Sequence, residues 1–164
     1  MCGCPVVLRR SGLTPDDASS VQACIDGMPY RGPDENGIWR DDHVGLGHVR
    51  LSIIGLSNGH QPLFSADESL VLVCNGEIYN HHELRARFQA EGAVFLTQSD
   101  SEVLIHAYRA WGDDFLQHVD GMFAFVLYDR QRGRLLCGRD HAGKKPHYYS
   151  ETADSAVGSS EVKA

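Results

Sequence analysis

The sequence predicts a layered α+β domain. Three observations carry that reading. Short apolar runs are separated by polar, glycine-bearing loops, in an order that suits antiparallel strands. One pair of runs reads directly as a hairpin. Helical patterns are grouped between the strands rather than alternating with them one for one, which argues against a parallel sheet.

Taken in order, Cys4 to Leu8 is short and mostly apolar and predicts a strand. Pro15 to Met28 predicts a helix: Pro stands near its start, two acids follow, and Val21, Cys24, Ile25 and Met28 recur at helical spacing. Val44 to Ile54 predicts a strand, with Gly45 and Gly47 before a β-branched stretch. Leu70 to Cys74 is a continuous apolar run, long enough for a strand and too short for a helix. Glu83 to Ala90 carries Leu84 and Phe88 four apart. Asp100 to Trp111 is the strongest helical pattern, with Ser99 and Glu102 as a capping-box pair and an apolar stripe of Val103, Leu104, Ala107 and Trp111. Met122 to Tyr128 and Arg134 to Cys137 flank the polar stretch 129–133 and predict the hairpin. His147 to Tyr149 and Ala156 to Val157 read as further short strands.

The 164 residues fit one domain, spanning 1–164. A hydrophobic share of 42% and a charged share of 23% suit a globular chain and argue against disorder. The formal net charge of −7 would be repelled by a phosphate backbone, so no nucleic-acid partner is expected. No apolar run approaches the ~18 residues that span a bilayer, so no membrane partner is expected either. The start, Met1 Cys2 Gly3 Cys4 Pro5, has no signal-peptide character. The five cysteines are odd in number and irregular in spacing, and read as reduced thiols of a cytoplasmic protein. Cys2-x-Cys4 lacks the second ligand pair that zinc takes, and the histidines do not cluster, so no metal or cofactor is expected. The stretch 138–145 lacks phosphate-loop spacing.

Four places could carry chemistry, and each has a plainer reading. A thiol at Cys2 could use its own α-amine as base if Met1 is removed, because an α-amine titrates near neutral pH; a small residue at position 2 is also commonplace. Asn75-Gly76 could supply an exposed amide beside a backbone N–H, making a two-donor oxyanion site, or could be a hairpin turn. Arg50, in a strand-like apolar run, could clamp a carboxylate or form a sheet-edge ion pair. Asp100 could receive a substrate ammonium or compensate the helix dipole. Cys4 reads as packing or as an oxidation partner for Cys2.

Together these segments resemble the glutaminase domain of class II glutamine amidotransferases, most closely that of asparagine synthetases. The matching runs, in family order, are 1–3, 31–34 (Arg-Gly-Pro-Asp), 46–54, 59–62 (Gly-His-Gln-Pro), 75–80 (Asn-Gly-Glu-Ile-Tyr-Asn), 99–104, 120–125 and 139–146. The resemblance implies a four-layer αββα N-terminal-nucleophile sandwich, truncated at its C-terminal end. It implies hydrolysis of L-glutamine to glutamate and ammonia, with Cys2 as nucleophile and Asn75 and Gly76 as oxyanion donors. Arg50, Ile53, Asn75, Gly76, Glu77 and Asp100 would contact the substrate, Arg50 at the α-carboxylate and Asp100 at the α-ammonium. In that family an ATP-using synthetase domain follows. No Ser-Gly-Gly-x-Asp-Ser run occurs in these residues, so the ammonia would pass to a separate asparagine-synthetase-like partner. The alternative is a catalytically silent amidotransferase-like binding or regulatory module. A different N-terminal-nucleophile amidase is disfavoured by Arg50 with Asp100, a pair that suits an α-amino acid.

Overall fold

The computed structural model of the chain describes residues 1–52 and 58–163. Among the described residues, nine strands form two antiparallel sheets. The first has the order β2 (Glu35–Arg40), β3 (Val44–Arg50), β1 (Val6–Arg9), β9 (Ser155–Ser159) and β8 (Tyr148–Glu151). The second has the order β4 (Leu63–Phe64), β5 (Leu70–Ile78), β6 (Gly121–Asp129) and β7 (Arg134–Arg139).

Side-chain alternation along the strands builds three apolar seams. Val6, Val44, Leu46, Val71, Val73 and Val126 meet between the sheets, with Cys4 fully buried among them. The other face of the second sheet gives Leu70, Leu72, Phe125 and Leu127 to helices α2 (His81–Ala90) and α3 (Val103–Trp111). The outer face of the first sheet gives Val7 and Val49 to Val21, Ile25 and Met28, the first two on helix α1 (Pro15–Asp26). Three seams make four layers, in the order helix, sheet, sheet, helix. Close approach of α1 explains Gly47: a Cβ there would lie 2.8 Å from Pro5 and 2.9 Å from Val21.

The strongest predicted elements form with shifted ends. The predicted helix 100–111 starts as a 3-10 turn, Asp100–Glu102, before α3 begins. Its predicted capping box does not form, because the Ser99 side chain makes no cap bond. Glu102 instead turns back to the preceding loop and accepts from Leu96 N, Thr97 N and Thr97 Oγ1 at 2.6–2.7 Å. A true capping box stands at α1, where Thr14 accepts from Asp17 N and Asp17 accepts from Thr14 N. Arg9 grips the same carboxylate through two nitrogens, tying the end of β1 to the start of α1.

Two strands escape the sequence pattern. β2 contains Asn36-Gly37, and its residues are only half-buried or exposed; pairing with β3 overrides local propensity. β4 is two residues long. The turn reading of Asn75-Gly76 is corrected: both lie inside β5, opposite Ala124 and Phe123. Gly76 is required by crowding rather than turning, since a Cβ there would sit 2.2 Å from the Met122 carbonyl oxygen.

Candidate functional site

A cavity of about 100 Å³ opens where the start of the chain crosses the ends of both sheets. Cys2, Arg50, Asn75, Gly76, Glu77 and Asp100 all line it. Six of the seven sequence-predicted site residues therefore converge; the seventh, Ile53, lies outside the described residues.

Cys2 is delivered by the first segment of the chain, which bridges to β3 through Gly3 and Val49. Its Sγ accepts the Leu51 N–H at 3.3 Å. Burial pushes the thiol's pKa up, while the Leu51 N–H and the positive charges of the amino terminus, Arg50 and Lys145 pull the other way without cancelling it. Such a thiol needs a base to become a nucleophile. Arg31, from the Arg-Gly-Pro-Asp run, donates to the Cys2 carbonyl at 2.9 Å and pairs with Glu161.

Arg50 closes β3 and is 4% exposed. It pairs with Glu35, which also meets His60. Burial raises the Glu35 pKa, but the bonds from Arg50 and His60 outweigh it and hold the carboxyl below its ordinary range. Arg50 thus forms an ion pair, though on a strand inside the sheet, between β2 and β1, instead of at its edge, and it also stands on the cavity wall. A guanidinium has five N–H donors, enough to serve both.

Past Leu72 the outer edge of β5 has no strand partner among the described residues. In an antiparallel strand, successive N–H groups point to opposite edges. Tyr79 N bonds the Asp120 carbonyl on the β6 side, so Gly76 and Ile78 turn their N–H groups the other way. Ile78 N meets the Asp100 carboxylate at 2.8 Å. Among the described residues β4 reaches only as far as Leu72 along this edge, and Gly76 lines the cavity beyond it. The Asn75 side chain is 1% exposed, and its Nδ2 has no hydrogen-bond partner among the described residues. The amide expected to be exposed is buried, because its strand runs through the sheet centre instead of turning.

Asp100 is 5% exposed and held in place by Ile78 N. A cation, Arg50, and an anion, Asp100, thus stand on the wall of one small cavity beside a thiol and two amide donors. Sequence reasoning missed Glu35, Gln61 and Lys145. Lys145 reaches the cavity because the buried Asp140 carboxylate accepts from the N–H groups of Phe123, Ala142, Lys144 and Lys145, folding the loop. The acid–loop pattern from Arg139 to Lys145 was its only trace in the sequence.

A family model described as a glutamine amidotransferase domain matches residues 1–164. The chain belongs to that family. This amidotransferase domain is 34% identical over its full length to asparagine synthetase [glutamine-hydrolyzing] 3 of Bacillus subtilis, covering 27% of that protein. It is 45% identical over 139 residues to asparagine synthetase B [glutamine-hydrolyzing] of Escherichia coli, which covers 84% of this chain and 25% of that one. It is also 38% identical to amidase chry2 of Gibberella zeae, over the full chain and 26% of the relative. The domain spans about a quarter of the length of these relatives. Among solved structures it superposes on a glutamine phosphoribosylpyrophosphate amidotransferase from B. subtilis with a TM-score of 0.63, at 23% identity, over 98% of this chain and 36% of the other. That likeness establishes the fold, and the expected four-layer αββα sandwich is the one observed.

Proposed function

We propose that this domain hydrolyses L-glutamine to glutamate and ammonia through a thioester on Cys2, and that the ammonia passes to an asparagine-synthetase-like partner. The observation that carries the reading is the meeting of Cys2, Arg50, Asn75, Gly76 and Asp100 on one cavity. A zwitterionic amino acid needs one cation and one anion to orient it, and Arg50 and Asp100 supply them. Its side-chain amide then lies toward Cys2. The α-amine of Cys2 takes the thiol proton, the resulting thiolate attacks the amide carbonyl, and the oxyanion is met by Asn75 Nδ2 and Gly76 N–H. The α-ammonium of Cys2 gives its proton to the departing ammonia, and water hydrolyses the thioester. Glu77 faces the same space and would border the substrate.

With Met1 in place the Cys2 nitrogen is an amide and no base. The reading therefore requires loss of Met1, which is 56% exposed. A nucleophile that must stay a thiol favours a reducing compartment, and a cytoplasmic location is part of this proposal. The test is glutamate release from glutamine by the wild type and by Cys2→Ala, both made so that Met1 is processed. Turnover in the wild type and none in the variant is expected. Equal turnover removes the mechanism. A wild type that binds glutamine without hydrolysing it leaves the silent binding module.

A further inference from the structure

β5 is held beside the cavity by a side chain where a strand would ordinarily hold it. β4 pairs Leu63 with Leu72 and Phe64 with Val71. Past Leu72 no described strand pairs with this edge of β5, and Gln61, two residues before β4, reaches it with its side chain. Here the Gln61 carboxamide makes both ladder bonds itself: Cys74 N donates to Oε1 at 2.6 Å, and Nε2 donates to the Cys74 carbonyl at 3.0 Å. The same carbonyl accepts from His48 Nε2 at 3.1 Å. His48 comes from β3 of the other sheet and is 1% exposed. Burial brings its pKa down to about 4, despite the opposing pull of the Cys74 carbonyl, so the imidazole is neutral at pH 7 with its proton on Nε2.

The Cys74 peptide is therefore fixed from two directions, immediately before Asn75 and Gly76. We propose that Gln61 is a positioning residue of the oxyanion site, holding the Cys74 peptide so that Asn75 Nδ2 and Gly76 N–H meet the reacting carbonyl. This role rests on the reading of Asn75 and Gly76 as oxyanion donors.

The test measures kcat and KM for glutamine with wild type, Gln61→Ala and Gln61→Glu, at temperatures well below each melting midpoint. Displacing a preorganised donor by a fraction of an ångström to about 1 Å costs up to ~100-fold in rate. Gln61→Ala should lose roughly 10- to 100-fold in kcat, with KM within about threefold, because Arg50 and Asp100 are untouched. The Gln61→Glu carboxylate accepts from Cys74 N but faces the Cys74 carbonyl with no proton to donate. Protonation restores the donor, and the carboxyl's ordinary pKa of about 4.3 is raised by burial. The kcat of Gln61→Glu relative to wild type should therefore rise as pH falls from about 8 to about 5, a profile that lost stability alone would not produce. Gln61→Glu also carries the test if Gln61→Ala does not fold. An active wild type with a Gln61→Ala kcat within threefold, a loss confined to KM, or a flat Gln61→Glu ratio overturns this role alone. A wild type that does not turn over glutamine overturns the hydrolytic reading and this role with it.

Discussion

The two halves of β5 are equally part of one sheet, yet they do different work. From Leu70 to Val73 the strand is apolar on both faces, with Val71 and Val73 between the sheets and Leu70 and Leu72 against the helices. Its outer edge is closed by the backbone of β4 and by Ser65, whose N–H and Oγ serve Leu70. From Cys74 to Ile78 burial is interrupted at half-buried Gly76 and Glu77, and the edge is served by Gln61, by the cavity and by Asp100 in turn. Packing makes the first half rigid. Past Leu72 no described strand borders the second half, and an antiparallel edge in that state presents N–H donors at a fixed spacing.

That contrast predicts opposite signatures for substitutions only a few residues apart. Leu72→Ala removes a fully buried side chain and should cost about 2–5 kcal/mol of stability, leaving kcat of the folded fraction unchanged. Asn75→Ala should do the reverse. Loss of one oxyanion donor typically adds ~2.7–4 kcal/mol to the barrier, a 10²- to 10³-fold fall in kcat. Melting should change less than in Leu72→Ala, because Asn75 Nδ2 has no hydrogen-bond partner to lose among the described residues. Denaturant melts and steady-state kinetics on both variants check the pair. Equal loss of activity in both would erase the distinction between the halves.

Asp100→Asn sharpens the boundary between binding and chemistry. It keeps a side-chain acceptor for Ile78 N but removes the charge for an ammonium. Hydrogen bonds to charged groups are worth about 1.5–3 kcal/mol, so KM for glutamine should rise roughly 10- to 100-fold, with a smaller change in kcat. An unchanged KM would take Asp100 out of substrate binding.

The smallest effects are expected farthest from the cavity. Thr14→Ala should cost about 1 kcal/mol of stability by loss of the α1 cap, with kcat unaltered. The same corner sets an acid limb. Arg9 and the Thr14 N–H and hydroxyl hold Asp17 well below the usual carboxylate range. Because the folded-state pKa is depressed, this contribution is present above the unfolded value of about 3.9 and is lost as pH falls below it. Asp17→Asn should flatten the decline of melting temperature below about pH 4, which a pH series of thermal melts reads directly.

Much of this was legible in the sequence, and the failures have physical causes. Leu70 to Cys74 could be read as a strand because its residues are uniformly apolar, and the hairpin after Met122 because its loop is polar. β2 could not, because Asn36-Gly37 signals a turn and only pairing with β3 makes it extended. Asn75-Gly76 misled for the same reason: glycine is needed there to clear the Met122 carbonyl, a contact made by a residue 46 positions away in sequence. Ser99 and Glu102 had the spacing of a capping box, but Glu102 found better donors in the Leu96–Thr97 loop. The site residues were legible where a residue type looked out of place, as at Arg50 among apolar neighbours. Gln61 and Glu35 were not, because their work is to hold Cys74 and Arg50, and nothing local marks that.

The measurement that bears most directly on the proposed chemistry is intact mass before and after exposure to diazo-oxo-norleucine, a glutamine-like thiol alkylator. A domain that uses Cys2 with its own α-amine should be lighter than the full sequence by one methionine and should take a single adduct, absent from Cys2→Ala. A chain that keeps Met1 and takes no adduct would contradict it.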